Sequence, residues 1–190
     1  MTTDNDDWKI IERVRAGDDY AFDALMERYS RPIMNFIYRM IGNAAEAEDV
    51  TQEVFVRAFQ NIQKPALYQT TAAFSTWLFQ VARNAALDCL RRKKRHPETS
   101  LTALEDGGDT TPGAGPTAAE AAVARETGER IAAAVALLPE DQRTAILLSE
   151  YEDFSDAQIA AVMKCTRKSV EARLYRARHF LRRQLASLLG

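Results

Sequence analysis

Cysteine and histidine each occur only twice in 190 residues. Cys89 and Cys165 form neither a metal-ligand spacing nor a disulfide framework, and the expectation is a small buried cysteine in each half of the chain. His96 and His179 lie among basic residues, with no Ser/His/Asp grouping around them. These shortages argue against a hydrolytic site, a metal centre or a bound cofactor, so a non-enzymatic protein is expected. A GxxxxGK phosphate loop is also missing, which removes nucleotide hydrolysis as a source of work. No apolar run approaches the roughly 18 residues that span a bilayer, and no signal peptide is apparent. A reducing cytoplasm with no direct membrane insertion is the expected setting.

Charge of one sign is not lacking, but it is unevenly placed. The net charge is only −2, yet residues 91–95 read RRKKR and residues 164–183 read KCTRKSVEARLYRARHFLRR. The second stretch holds eight Lys/Arg against the single acid Glu171. Like charges kept together against their own repulsion call for a polyanion, here DNA.

With 46% apolar residues the chain has enough material for packed cores, although two halves of under about 100 residues each would have modest stability alone. Residues 97–118 contain EDGGDTTPGAGPT and little that can be buried, so they read as a flexible acidic linker. Such a tether keeps two modules at raised mutual concentration while leaving their spacing adjustable.

The halves on either side read as helical. Residues 21–40 carry Phe22, Leu25, Met26, Tyr29, Ile33, Phe36, Ile37 and Met40 at helical spacings, with Pro32 marking a kink or a break. Gly42-Asn43 ends that stretch, and a second helix is expected over 45–59, with acids early where the helix dipole favours them. A third is expected over 72–92, its inward face made by Phe74, Trp77, Leu78, Val81, Ala85 and Cys89. Trp77 falls in this stripe and reads as core rather than as a wedge between bases.

Beyond the linker, helices are expected over 118–138 and 140–150. Ser155 and Gln158 make a capping box for a short helix, Lys164-Cys165 make a turn, and Thr166 caps a longer basic helix. That order is the helix-turn-helix, whose second helix enters the major groove. Lys168, Glu171, Tyr175, Arg176 and His179 face away from its Val170/Leu174 stripe.

Four fragments in sequence order now carry a likeness. EDVTQEVFVRAF (48–59), FSTWLFQVARNAALDCLRR (74–92), LPEDQRTAILLSEYEDFSDAQIA (138–160) and SVEARLYRAR (169–178) resemble the extracytoplasmic-function sigma factors, the small two-domain promoter-recognition subunits of bacterial RNA polymerase. The resemblance implies an all-α protein: a promoter and polymerase-binding domain over 1–96, the linker, and a helix-turn-helix domain over 119–190. It departs at Lys168, where glycine is common, and at Glu171, where a base is common, which implies an altered recognition face.

Residue roles follow from the same resemblance. Asp49, Gln52, Glu53 and Val56 would meet a coiled coil of the core polymerase's largest subunit. Tyr68, Gln69, Thr70 and Thr71 would form a loop around a flipped base, with Arg83 and Asn84 nearby, and Arg91, Arg92, Lys93, Lys94 and Arg95 would hold phosphates of the downstream promoter element. Without ATPase machinery, strand opening would be driven by capture of unstacked bases, at about 1–3 kcal/mol each. Arg167, Lys168, Glu171, Arg173 and Arg176 would read the upstream element, where an arginine serves a guanine or a phosphate equally and Glu171 accepts from cytosine or pairs within its helix. Partners would be core RNA polymerase, promoter DNA and an anti-sigma factor, often membrane-tethered, that occludes the binding faces.

Two other classes compete. An autonomous helix-turn-helix regulator would bind duplex DNA without polymerase. A helical adaptor would use the same apolar stripes but has no need of two polycationic ends.

Overall fold

The computed structural model describes residues 3–64, 73–95 and 118–186, and among them all regular structure is helical. The first helix, α1 (Thr3–Arg15), has no counterpart in the sequence expectations. It forms around Ile11 and Val14, both buried at helical spacing, while Trp8 stays half-exposed with the Arg15 guanidinium over its ring. Asp7 is fully buried; it accepts a hydrogen bond from the Tyr29 hydroxyl at 2.5 Å and pairs with Arg28. A buried carboxylate is tolerated only with such partners, so this cluster fixes where α1 lies on the next helix.

After a 3-10 turn at Asp19–Ala21, α2 (Phe22–Ile41) runs as one helix through Pro32. Pro32 removes one backbone donor, yet Tyr29, Ile33, Phe36 and Ile37 are buried on both sides of it, and their packing carries the helix past the lost bond. Of the expected stripe only Met26 is exposed. Gly42 closes α2 in the left-handed region at φ 78°, its N–H donating to the Tyr38 carbonyl at 2.7 Å. Asn43 then caps α3 (Ala44–Gln63) by accepting from the Glu46 N–H at 2.9 Å. The helix continues beyond the expected end because Ile62 is fully buried. In α4 (Phe74–Arg95) the basic run stays helical to its last residue, and Phe74, Leu78, Phe79, Ala82, Ala85, Ala86 and Cys89 are buried. Trp77 and Val81 are both partly buried against the same core, the Trp77 ring 5.8 Å from that of Phe74.

The second group comprises α5 (Ala118–Ala136), α6 (Glu140–Glu150), α7 (Asp156–Met163) and α8 (Arg167–Gln184). The expected capping box at Ser155 and Gln158 is formed, and Thr166 accepts from the Ser169 N–H at 3.2 Å. Between these helices Lys164 takes the left-handed conformation at φ 50°, which makes the turn tight. Cys89 is buried, but Cys165 in this turn is only half-buried. Among the described residues no helix is long and apolar enough to cross a membrane.

The two helical groups do not stand apart. Their buried residues form one cluster through both, and Phe79 of α4 meets Phe154 edge-on at 5.1 Å. Arg39 lies over the Tyr151 ring at 4.1 Å, and Arg143 of α6 donates to the Met40 carbonyl at 2.7 Å. Burying one large apolar side chain contributes about 1.5–3 kcal/mol, against about 0–1 for an exposed ion pair, so the apolar contact holds the groups together.

At this joint burial pushes the Glu152 carboxyl up to about 7, with Arg39 opposing the shift and Asp153 adding to it. The folded chain therefore keeps a proton that the unfolded chain has already lost. Stability is expected to decline as pH rises from the ordinary carboxylate range through about 7, and Glu152→Gln should flatten that decline. Thermal melts across the range test it, and parallel curves for both proteins would remove Glu152 as the cause.

Candidate nucleic-acid interface

The cap at Thr166 starts α8 with its apolar stripe, Val170, Leu174 and Ala177, buried. The opposite side is consequently exposed: Arg167, Lys168, Glu171, Tyr175, Arg176 and His179 all face solvent. Tyr175 and His179 stack nearly parallel, 6.3 Å apart at 11°. Arg173 differs from the expectation of a cation offered to DNA. It sits beside Leu174 at the margin of the stripe, donates to the Ser169 hydroxyl, and reaches Asp141 Oδ2 at 3.2 Å with its side chain only 22% exposed.

On α4 a similar division appears. Asn84 is exposed, whereas Arg83 is 13% exposed and donates to Asp141 Oδ1 at 2.7 Å. Asp141 thus accepts one arginine on each oxygen, from two helices far apart in sequence. Within the basic run Arg91 pairs with Asp88 at 3.0 Å, Lys93 with Glu46, and Lys94 with Glu140 at 2.6 Å. Arg95 folds back toward the Arg91 carbonyl, and Arg92 is exposed with no ion pair among the described residues. The run is therefore not the five free cations the sequence suggests. Tyr68, Gln69, Thr70 and Thr71 lie outside the described residues.

A third face belongs to α3. Asp49, Gln52 and Val56 are exposed, Val56 at 56%, and Glu53 is partly exposed with Arg57 one turn on as its ion partner. The apolar residue rimmed by acids suits a basic amphipathic partner.

Sequence reasoning missed Glu140, Asp141 and Arg143. The first two read as ordinary acids in the first turn of a helix, where the dipole alone accounts for them. Arg143 donates to the carbonyls of Met40, Ala136 and Leu138, and burial lowers its pKa from the ordinary guanidinium value while Glu140 opposes that. Nothing local in LPEDQR marks it as the link between α2 and the end of α5. Among the described residues no cluster of His, Cys, Asp and Glu is placed to hold a metal ion.

Sigma-70 region 2 matches residues 25–96, and Sigma-70 region 4 matches residues 128–181. The chain is 35% identical to the RNA polymerase sigma-H factor of Pseudomonas aeruginosa across 100% of this chain and 98% of that protein. It is 33% identical to the ECF RNA polymerase sigma factor SigW of Bacillus subtilis, over 95% of this chain and 97% of the relative. Among solved structures, CnrH in complex with the cytosolic domain of CnrY superposes with a TM-score of 0.69 at 22% identity, covering 94% of this chain and 96% of that one. The sigma factor RpoE of Bartonella quintana, solved in complex with the anti-sigma factor NepR, gives 0.66 at 22% identity, covering 87% and 96%. These structural likenesses bear on the fold, and the fold agrees. Both halves match in order, which an autonomous helix-turn-helix regulator would not do, and the chain belongs to the sigma-70 family as an extracytoplasmic-function RNA polymerase sigma factor.

Proposed function

We propose that residues 1–96 dock on core polymerase and engage the downstream promoter element, that residues 119–190 read the upstream element, and that residues 97–118 tether the two. The observation that carries this reading is α8: a capped helix with Arg167, Lys168 and Arg176 exposed on the side opposite its buried stripe. A helix of that kind fits the major groove, where arginine meets guanine or a phosphate. Downstream, α4 would contribute Arg83, Asn84 and the 91–95 run, and Tyr68, Gln69, Thr70 and Thr71 the base-capturing loop. On α3, Asp49, Gln52, Glu53 and Val56 would meet the polymerase. As a member of its family the protein works by placement rather than by chemistry of its own.

Two further assignments complete the proposal. The protein would work in the cytoplasm, where polymerase does. The anti-sigma complex of the Bartonella relative supports an inhibitor that covers these faces here as well, and the family resemblance extends that to a membrane-tethered one.

Reconstitution with core polymerase, followed by run-off transcription from a promoter library, tests the reading. Promoter-selective initiation is expected, together with little duplex affinity of the free protein. Tight, specific duplex binding without stimulation of polymerase would overturn it.

Within that assay Arg176→Ala and Arg173→Ala should each weaken use of the upstream element, by about 1–3 kcal/mol if a bidentate base contact is lost. A lost phosphate contact would weaken all promoters alike and lower the salt slope by about one unit. Unchanged initiation at every promoter would exclude both roles.

A further inference from the structure

We infer that Glu171 is a specificity residue of α8 and commits the upstream element to a cytosine at one position. This rests on the upstream-reading role of α8 proposed above. Of the two roles the sequence leaves open for this acid, the structure removes pairing within the helix.

The ordinary uses of an acid on a basic helix do not apply here. Glu171 is the fifth residue of α8, past the first turn in which the helix dipole favours an acid. Arg167 and Lys168 precede it by four and three residues, an order of cation before acid that gains little on a helix. Its carboxylate has no hydrogen bond or ion pair among the described residues. The cations of α8 that do pair take acids from other elements, Arg178 from Glu150 at 2.8 Å and Arg173 from Asp141 at 3.2 Å. Glu171 is thus exposed and unpaired, the one acid among eight Lys/Arg between residues 164 and 183.

Its surroundings tell against a phosphate. Glu171 and Asp156 together line a cavity of about 310 Å³ beside the start of α7, and two carboxylates there repel the DNA backbone. Arg178, already paired, and Arg182 line the same cavity two to three turns further along α8. Between them Tyr175, 73% exposed, stands ring to ring with His179. Once Arg167, Lys168 and Arg176 seat the helix in the major groove, the carboxylate at 171 is tolerated only against base edges.

A carboxylate accepts hydrogen bonds and donates none, so it needs a donor on the DNA. Guanine offers N7 and O6, both acceptors, and thymine offers O4 and a methyl group, so both are refused. Adenine sets its N6 amino group beside the acceptor N7, a pattern that an amide matches and two acceptor oxygens do not. Cytosine presents its 4-amino group with no acceptor beside it on its own edge, and that group donates to Glu171. Arg176 leaves guanine or phosphate undecided, whereas the acid has one outcome.

The test uses holoenzyme, the full-length protein with core polymerase, on a run-off library in which every position of the upstream element carries each of the four bases. Wild type should prefer cytosine about tenfold at one position. Glu171→Ala should abolish that preference while those at other positions persist. Glu171→Gln, whose amide matches N6 and N7 of adenine, should move it to adenine. A cytosine analogue lacking the 4-amino group should cost wild-type holoenzyme about tenfold more than it costs Glu171→Ala, a comparison in which any loss of base pairing cancels. Every base preference retained in Glu171→Ala, with all promoters strengthened alike, would reduce Glu171 to a charge that repels DNA and overturn the inference. An equal penalty from the analogue in both proteins would do the same. Wild-type holoenzyme without base preference anywhere in the upstream element removes the role of α8 itself. Preference lost in Arg176→Ala but kept in Glu171→Ala removes only the cytosine assignment.

Discussion

Replacing Asp7 with alanine is expected to lower the thermal midpoint by roughly 5–15 °C, from a loss of about 2–4 kcal/mol at about 2–4 °C per kcal/mol for a chain of this size. The carboxylate is fully buried where α1 crosses α2, and the Tyr29 hydroxyl at 2.5 Å and the Arg28 guanidinium are among the groups that converge on it. Alanine takes the acceptor away but leaves both donors in place: the buried Tyr29 hydroxyl loses this partner without regaining bulk water, whereas Arg28, with 35% of its side chain exposed, turns to solvent. Tyr29→Phe should cost less, about 1 kcal/mol, because one donor is deleted and the ion pair survives. Melting followed by circular dichroism decides it. A midpoint for Asp7→Ala within two degrees or so of wild type would mean that α1 is held without the Asp7 cluster, by contacts such as the packing of Ile11 and Val14 and the Arg15 hydrogen bond to the Ile62 carbonyl.

On α3, joint replacement of Gln52 and Glu53 by lysine should reduce affinity for core polymerase about ten- to a hundredfold, while the melting temperature stays near that of wild type. The two expectations come from different physics. Folding loses only an exposed turn-to-turn pair between Glu53 and Arg57, worth about 0.3–0.5 kcal/mol. Association would lose an acid and gain two positive charges against the basic partner surface proposed above, beside Val56, whose 56% exposure leaves it free to be covered. A fluorescence titration against core polymerase measures this. Equal affinity for variant and wild type would remove the α3 face from the interface.

What could be read in the sequence was local. Ser155 with Gln158, and Thr166 before a basic helix, state their caps within three residues, and the helix-turn-helix forms as they dictate. Gly42 likewise announces the end of α2. α1 escaped because eight of the thirteen residues from Thr3 to Arg15 are charged or amide-bearing, and its hold depends on Asp7, whose partners lie on another helix. Pro32 left a kink and a break both open, and the helix is not broken there because burial of its neighbours outweighs one missing bond. The fate of Arg83 and Arg173 was not legible at all. Their shared partner lies 58 residues from one and 32 from the other, and no pattern of period 3.6 speaks across such distances.

One core through both helical groups also restricts exchange of parts. A hybrid taking residues 118–190 from a relative would inherit a complete helix-turn-helix, yet its α6 and the 151–154 segment would face an α2 and α4 surface they were not shaped against. Met40 meets Thr144, Phe79 meets Phe154, and Arg143 finds carbonyls on both sides of the joint only because the two groups match. The halves are thus separable in sequence but not as neighbours, and drift in one half is answerable to the other.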